Sequence, residues 1–319
     1  MSPHDAAVGQ PTTDRPLTGR RVLVTGASAG IGAATARAIV AAGGRVALVA
    51  RSQARLEELA TELRALTPVA PAAPAVPGTG GGERGPGAAA GAEDAAEDDG
   101  PARAGLPADA PDTVGAEGPT VVVADADVVD AEAARAVVDA AAEQLGGLDA
   151  VINAAGIARP GPVASTPPAD WQLMLDVNVR GLLHVTQAAL PHLTAAVERD
   201  EHGRLVRAGD VVNVSSMSGR RVGSPAMGVY AASKAAVHAL SGALRREVGD
   251  DGVRVSVIAP GFVRTGIFEG QDTDAARQLG RKGEEVGLPP EQVADRIVEV
   301  LAAPPGLVHV EVAMVSVDQ

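Results

Sequence analysis

The sequence predicts an α/β protein in which a doubly wound parallel sheet of about seven strands carries helices on both faces. Three observations predict it. Short Val-rich runs alternate along the chain with longer Ala-rich segments of helical period. The short runs are continuously apolar, as strands covered on both faces are. The segments between them are long enough for crossover helices, which pack back on the sheet and leave its strands parallel.

The strand candidates, in chain order, are Arg21 to Thr25, Val46 to Ala50, Val121 to Ala124, Ala150 to Asn153, Val211 to Ser215, Val253 to Ile258 and Val308 to Val315. Residues 1 to about 18 are polar, contain Pro and lack an apolar period, which predicts a disordered tail before a single domain over 19–319. One segment breaks the rhythm. Residues 67–119 hold 9 Pro, 11 Gly and 15 Ala, with 9 acidic against 2 basic side chains, and so carry −7 of the chain's net −13. Such a composition buries too little apolar surface to offset its conformational entropy, so a disordered acidic insertion is expected there. It falls between a helix and a strand, a connection at the amino ends of the strands, whereas ligands of open α/β sheets bind outside the carboxyl ends.

Composition narrows the function. With 27 basic against 40 acidic residues in 319, nucleic acid and anionic membrane surfaces are not expected partners. The absence of Cys excludes disulfides, thiolate metal sites and a Cys nucleophile, and six scattered His residues without an HExxH pattern predict no metal. No apolar leader or span is visible, which predicts a cytoplasmic protein. Aromatic residues are four in all: Trp171, Tyr230, Phe262 and Phe268.

Thr25-Gly26-Ala27-Ser28-Ala29-Gly30-Ile31-Gly32 follows the first strand and opens the first helix. Glycines there let the chain turn sharply and let backbone N–H groups approach a pyrophosphate, while the helix amino end adds partial positive charge. Strand, loop, helix and second strand together predict a dinucleotide site of the Rossmann type. An acidic residue at the end of the second strand would accept from an NAD ribose; here the chain reads Val49-Ala50-Arg51-Ser52. Arg51, helped by Ser28, suits the 2′-phosphate of NADP, which is favoured over NAD.

Tyr230 and Lys234 stand at i and i+4 of a predicted helix, on one face. A phenol that exchanges a proton near neutrality needs a cation beside it, and Lys234 supplies one. That the pattern takes the only Tyr of the chain, shortly after Asn213-Val214-Ser215-Ser216, makes it specific.

With these residues in place, the sequence resembles the short-chain dehydrogenase/reductase (SDR) family over 20–66 and 120–319. Five motifs fall in the family's order: Thr25 to Gly32, Asp127-Val128, Asn153-Ala154-Ala155-Gly156, Tyr230 with Lys234, and Pro260-Gly261. The resemblance implies an NADP-dependent oxidoreductase interconverting an alcohol and a carbonyl (aldehyde, ketone or hydroxy/keto acid) by hydride transfer. It gives Tyr230 the role of acid/base, and Lys234 those of lowering the Tyr230 pKa and holding the nicotinamide ribose. Ser216 would bond the substrate oxygen, with Ser215 and Ser218 as alternatives, and Asn178 would hold a water of the proton relay. Gly26, Ser28, Gly30, Ile31, Gly32 and Arg51 would bind the phosphates, and Asp127 with Val128 the adenine. Asn153 and Ala154 would border the cofactor, and Pro260, Gly261, Val263 and Thr265 would fix the carboxamide. A homodimer or homotetramer through the helices carrying Asn178 and Tyr230 is implied as well. The alternatives are a non-catalytic NADP-binding or interaction protein, and a nucleotide-sugar epimerase or dehydratase on the same fold.

The substrate is expected among residues after Gly156, after Ser216 and between Thr265 and Leu288. Those stretches supply Arg159, Arg220, Arg221, Met227 and Phe268, a mixture of cations and few large apolar groups; the arginines would pair with a substrate carboxylate, unless they are simply solvated. Ala29 replaces a serine frequent in the family, and residues 198–210 are longer and more charged than its usual pattern. Neither departure removes a catalytic group.

Overall fold

The protein is described by a computed structural model over residues 15–66 and 120–319. The chain runs β1 (Arg21–Thr25), α1 (Gly30–Ala41), β2 (Arg45–Ala50), α2 (Gln53–Leu66), β3 (Val121–Asp125), α3 (Ala131–Leu145), β4 (Ala150–Asn153), α4 (Pro168–Leu175) and, after a π-helical turn at Asp176–Gly181, α5 (Leu182–Ala195). It continues through β5 (Glu198–Arg199), β6 (Leu205–Arg207), β7 (Gly209–Val214), α6 (Gly228–Glu247), β8 (Val253–Pro260), α7 (Asp274–Val286), α8 (Pro290–Ala302) and β9 (Glu311–Met314). Seven strands form one sheet in the order β3-β2-β1-β4-β7-β8-β9, and every pairing in it is parallel.

Period-two alternation divides the core between the two faces of this sheet. Val22, Val24, Val46 and Leu48 pack on one side with Ile39 of α1, Leu56 of α2 and Ile297 of α8. Leu23, Ala47, Val49 and Val151 pack on the other with Val138 of α3 and Val185 of α5. Both layers are built from Ala, Val, Leu and Ile without an aromatic side chain. Strand order reverses between β1 and β4, so the crevice outside their carboxyl ends is where this topology opens a ligand site.

Three details differ from expectation. Leu17 is fully buried, and its backbone N–H donates to Ala42 O at 3.0 Å, so residues 15–18 are packed on the domain. A single Leu in a polar stretch has no period to announce it. The last strand is limited to Glu311–Met314, where it pairs with Val257 to Pro260; Val308 and Val310 before it are exposed. Residues 198–207 form an unforeseen antiparallel hairpin, which is exposed and ion-paired and therefore carries no apolar alternation. Arg207 of that hairpin pairs with Asp149 at 2.8 Å, which ties it to the amino end of β4. The insertion expected over 67–119, like residues 1–14 of the tail, lies outside the described residues. Its two flanks, the last turn of α2 and the start of β3, are at the amino edge of the sheet. No helix among the described residues is long and apolar enough to cross a membrane.

Candidate active site

The phosphate loop joins β1 to α1 and is shaped by close approaches that only glycine permits. Gly26 has φ +67°, and a Cβ there would stand 2.8 Å from Ala155 Cα and N. A Cβ at Gly32 would fall 2.3 Å from Gly26 O, and Gly30, at φ +54°, faces the Thr265 methyl at 3.0 Å. The loop is thus folded against the carboxyl end of β4 on one side and the segment after β8 on the other. Thr25, inside the motif yet not expected to have a role, fastens it: its hydroxyl accepts from Ala154 N and Ala155 N, both at 3.2 Å. Ile31 packs on the first core layer. Ser28 is half-buried, while Arg51, just past β2, is exposed.

Between α1 and α2 a surface cavity of about 280 Å³ is lined by Ser28, Arg55, Glu58 and the Arg37–Glu62 pair, among others. Arg37 is committed to Glu62 through two hydrogen bonds of 2.8 and 2.7 Å. Arg51 and Arg55 form no ion pair among the described residues. Nothing in the spacing of Arg55 distinguishes it in the sequence from a solvated helix residue.

On the far side of the crevice, Asp127 turns its Oδ1 back to accept from Val129 N at 3.0 Å, holding the turn after β3. Val128 is buried beneath Gly181, where a Cβ would meet Val128 Cγ2 at 2.6 Å. Asn153 Nδ2 donates to Thr186 Oγ1 at 3.0 Å and Asn213 Oδ1 at 2.8 Å, and Asn213 Nδ2 donates to Ser241 Oγ at 2.9 Å. This buried polar chain links β4, α5, β7 and α6 and fixes the ends from which the site projects. Pro260 closes β8; Val263 bridges to Leu288; and Phe262 N, beside Gly261, donates to Gln319 Oε1 at 2.8 Å.

The four residues expected to be catalytic converge. Tyr230 and Lys234 lie on α6, both buried, with Lys234 Nζ 5.9 Å from the Tyr230 ring centre. Ser216, the second residue beyond β7, approaches the Tyr230 phenol closely enough to lower its pKa, and its hydroxyl also donates to Pro260 O at 3.5 Å. The Ser215 hydroxyl instead donates to Lys234 O at 3.0 Å, and Ser218 donates its backbone N–H to Ser216 Oγ at 3.1 Å. Of the three serines, Ser216 is the one brought to the phenol. Asn178 sits in the π-helical turn, a widened geometry common at functional sites and invisible to helical periodicity. Its Oδ1 accepts from Ile157 N at 2.8 Å, and its Nδ2 donates to Ile157 O and Ser233 Oγ at 3.0 Å each. Asn178 Oδ1 and Lys234 Nζ meet at Gly156, each 3.3 Å from where a Cβ would stand. Ser233, unnoticed beside the Tyr/Lys pattern, completes this arrangement by donating to Tyr230 O at 2.7 Å.

Electrostatics here are set by burial. Burial pushes the Tyr230 phenol above its ordinary value, opposed by the hydrogen bond with Ser216. In the unliganded chain the phenol is therefore raised, contrary to the expected depression by Lys234, because desolvation of the phenolate wins. Burial lowers the Lys234 ammonium to about 8, and its Nζ donates to Val214 O at 2.9 Å. Of the arginines expected to meet a substrate carboxylate, two lie beside carboxylates of the chain, Arg159 3.9 Å from Asp170 and Arg220 Nε 3.1 Å from Glu311, while Arg221 is exposed. Gln271, not foreseen, clasps the segment after β8 to the loop after β4 by donating to Ala158 O at 2.9 Å and Ile267 O at 3.0 Å. Among the described residues no group of His, Asp and Glu side chains is arranged to hold a metal ion.

Comparison with known proteins places this geometry in a family. The short chain dehydrogenase family model matches residues 20–75 and 100–276. The bovine (Bos taurus) dehydrogenase/reductase SDR family member 11 is 31% identical over 297 residues, 92% of this chain and 93% of that protein. Glycine betaine reductase ATRR of Emericella nidulans is 32% identical over 297 residues, again 92% of this chain, which spans only 18% of the fungal protein. Among solved structures, a short chain dehydrogenase from Burkholderia cenocepacia in complex with NADP is 26% identical, with a TM-score of 0.67 over 94% of this chain and 97% of that one. The chain belongs to the short-chain dehydrogenase family.

Proposed function

We propose that the protein is an NADP-dependent oxidoreductase that interconverts an alcohol and a carbonyl compound. The observation that carries this reading is the approach of the Ser216 hydroxyl to the Tyr230 phenol with the Lys234 ammonium buried beside them. The close approaches at Gly26, Gly30 and Gly32 fold the loop tightly onto the carboxyl end of β4 at the start of α1, and a helix amino end preceded by such a loop suits a dinucleotide pyrophosphate. When bound, the nicotinamide supplies hydride exchange; the chain's residues supply everything else. Ser216 donates to the carbonyl oxygen and orients it, and Tyr230 gives that oxygen its proton in reduction or removes it in oxidation. A raised phenol pKa keeps Tyr230 protonated at neutral pH, the state required for reduction. Lys234 orients the ribose hydroxyls, while Asn178 holds Ile157 and Ser233 around the phenol. The Burkholderia relative was solved with NADP, and the same dinucleotide suits Arg51, Arg55 and Ser28, none of which would repel a 2′-phosphate.

Fluorescence titration with NADPH and NADH, followed by a carbonyl panel, tests the proposal. NADPH is expected to bind more tightly, and Arg51→Glu to weaken it at least ~10-fold while sparing NADH. Tyr230→Phe should cut turnover at least ~10²-fold, the scale of a lost general acid, and leave the NADPH titration unchanged. Near-normal turnover in Tyr230→Phe overturns the assignment.

A further inference from the structure

The distribution of aromatic side chains sets the active site apart from the rest of the molecule. Three of the chain's four aromatic residues, Trp171, Tyr230 and Phe268, belong to one cluster, while the two core layers contain none. Around Tyr230 this cluster brings together Met174 and Trp171 of α4, Met227 ahead of α6, Ile267 and Phe268 of the 3₁₀ turn after β8, and Leu279 of α7. These side chains come from four separate stretches: α4, the turn before α6, the turn after β8 and α7. They are large where the remaining core is small, and the Met side chains adapt to varied shapes. Charge is handled in the opposite way: Arg159 faces Asp170, Arg220 faces Glu311, and Arg277 is held by Asp272 and Asp274.

From this we infer that the substrate is an uncharged, apolar carbonyl compound whose hydrocarbon part packs on the partly exposed Trp171, Phe268 and Leu279, backed by Met174 and Met227, while its oxygen faces Tyr230 and Ser216. The inference rests on the oxidoreductase reading above and names the substrate class of that site. A substrate carboxylate would lose its hydration against this wall, and two of the three arginines of these stretches, Arg159 and Arg220, already lie beside carboxylates of the chain. Gln271 is a positioning residue in this scheme: by bonding both Ala158 O and Ile267 O it holds the apolar turn over the loop after β4. The reaction balances as in any carbonyl reduction: the carbonyl carbon receives two electrons and a hydrogen from NADPH, and its oxygen receives a proton from Tyr230, returned from solvent.

The test uses the full chain with saturating NADPH and two matched series, 2-butanone, 2-hexanone and 2-octanone against 2-oxobutanoate, 2-oxohexanoate and 2-oxooctanoate. The expected kcat/KM climbs along the ketones by about fourfold per methylene until the wall is covered, and each keto acid falls at least ~10-fold below the ketone of its length. Phe268 is only half-buried, so two variants are available there. Phe268→Arg should raise the keto acids and lower the ketones, and Phe268→Ala should flatten the chain-length dependence. Keto acids that match or exceed the ketones, or a flat ketone series, overturn the inference and leave the oxidoreductase standing. NADPH binding without reduction of either series defeats the oxidoreductase reading, and the substrate class falls with it.

Discussion

The two ends of the sheet are built on opposite electrostatic principles. At the amino edge, carboxylates are buried and fully answered: Asp210 of β7 takes Arg254 Nε at 2.7 Å and Nη2 at 2.9 Å and also pairs with Arg20. Asp149 takes Arg21 at 2.9 Å and Arg207 at 2.8 Å. Burial alone would push the Asp149 carboxyl up, yet hydrogen bonds from the Arg21 side chain and backbone and from Arg207 hold it below the ordinary carboxylate range. At the carboxyl edge the buried ionisable groups are a phenol and an ammonium, and no carboxylate among the described residues pairs with Lys234. One end matches its charges and holds strands in register. The other leaves its groups under-compensated, which suits groups that must exchange protons and partners.

The largest expected effect breaks the amino edge alone. Asp210→Ala strands Arg254, which is 7% exposed and otherwise bonded only to the carbonyls of Leu301, Ala303, Pro304 and Leu307. Removing one partner of a buried pair costs about 3–5 kcal/mol, so urea unfolding should show that loss. NADPH affinity, measured where the variant remains folded, should be unchanged. A variant as stable as the parent would mean that this web contributes little, and altered NADPH binding would mean that the two ends are coupled.

That contrast also explains what the sequence could and could not disclose. The seven strands of the main sheet are legible because each carries a short Val-rich apolar stretch, though the polar residues inside β7, β8 and β9 blur their bounds, and the four converging residues are legible because they sit in short motifs of fixed spacing. The hairpin at Glu198–Arg207 and the anchor Leu17 escape notice because ion pairs and a lone apolar contact have no period. Gln271 escapes for a different reason: its partners, Ala158 and Ile267, are main-chain carbonyls from two loops, and any side chain amide in reach would serve. The raised phenol of Tyr230 is likewise a property of burial from several elements, whereas the motif suggested only the cation beside it. Local chemistry is written in motifs; the dielectric around it is a tertiary property.

A second prediction sharpens the comparison at the carboxyl edge. Lys234 has a folded pKa of about 8 against its usual value near 10.4 (roughly), so between those values the unfolded chain holds more protons than the folded one. Stability of the unliganded protein therefore rises with pH from about 8 toward 10, and the penalty is fully present below pH 8. Its size is on the order of 3 kcal/mol at most. The raised phenol of Tyr230 acts in the other direction, because the unfolded chain then loses its proton first and stability declines above pH ~10. Lys234→Met should abolish turnover, gain stability below pH 8 and lose the upward slope between pH 8 and 9.5 in urea titrations. Parallel slopes for parent and variant would show that Lys234 carries no uncompensated buried charge.

The smallest effect on activity is expected where the amino edge meets residues 67–119. Arg64 Nη2 of the last turn of α2 lies 3.5 Å from Val121 O, and Thr120 O accepts from Val46 N at 2.8 Å, so the flanks of the segment are close together and anchored on the sheet. A Gly/Ser linker of ~6 residues, within the usual range for such connections, should span them. Shortening a connection through about three halvings lowers the closure entropy cost of a loop by ~2 kcal/mol in all, at about 0.6 each, so stability should rise slightly. The replacement also removes −7 of the net −13 charge. Five or six strand residues put roughly 17–20 Å between the edges, about two Debye lengths at 0.15 M salt, so the Kd for NADPH should stay within about twofold. A folded product that has lost NADPH binding or turnover would break the separation of the two ends, because an acidic segment hung from the amino edge would then be acting on the chemistry at the other.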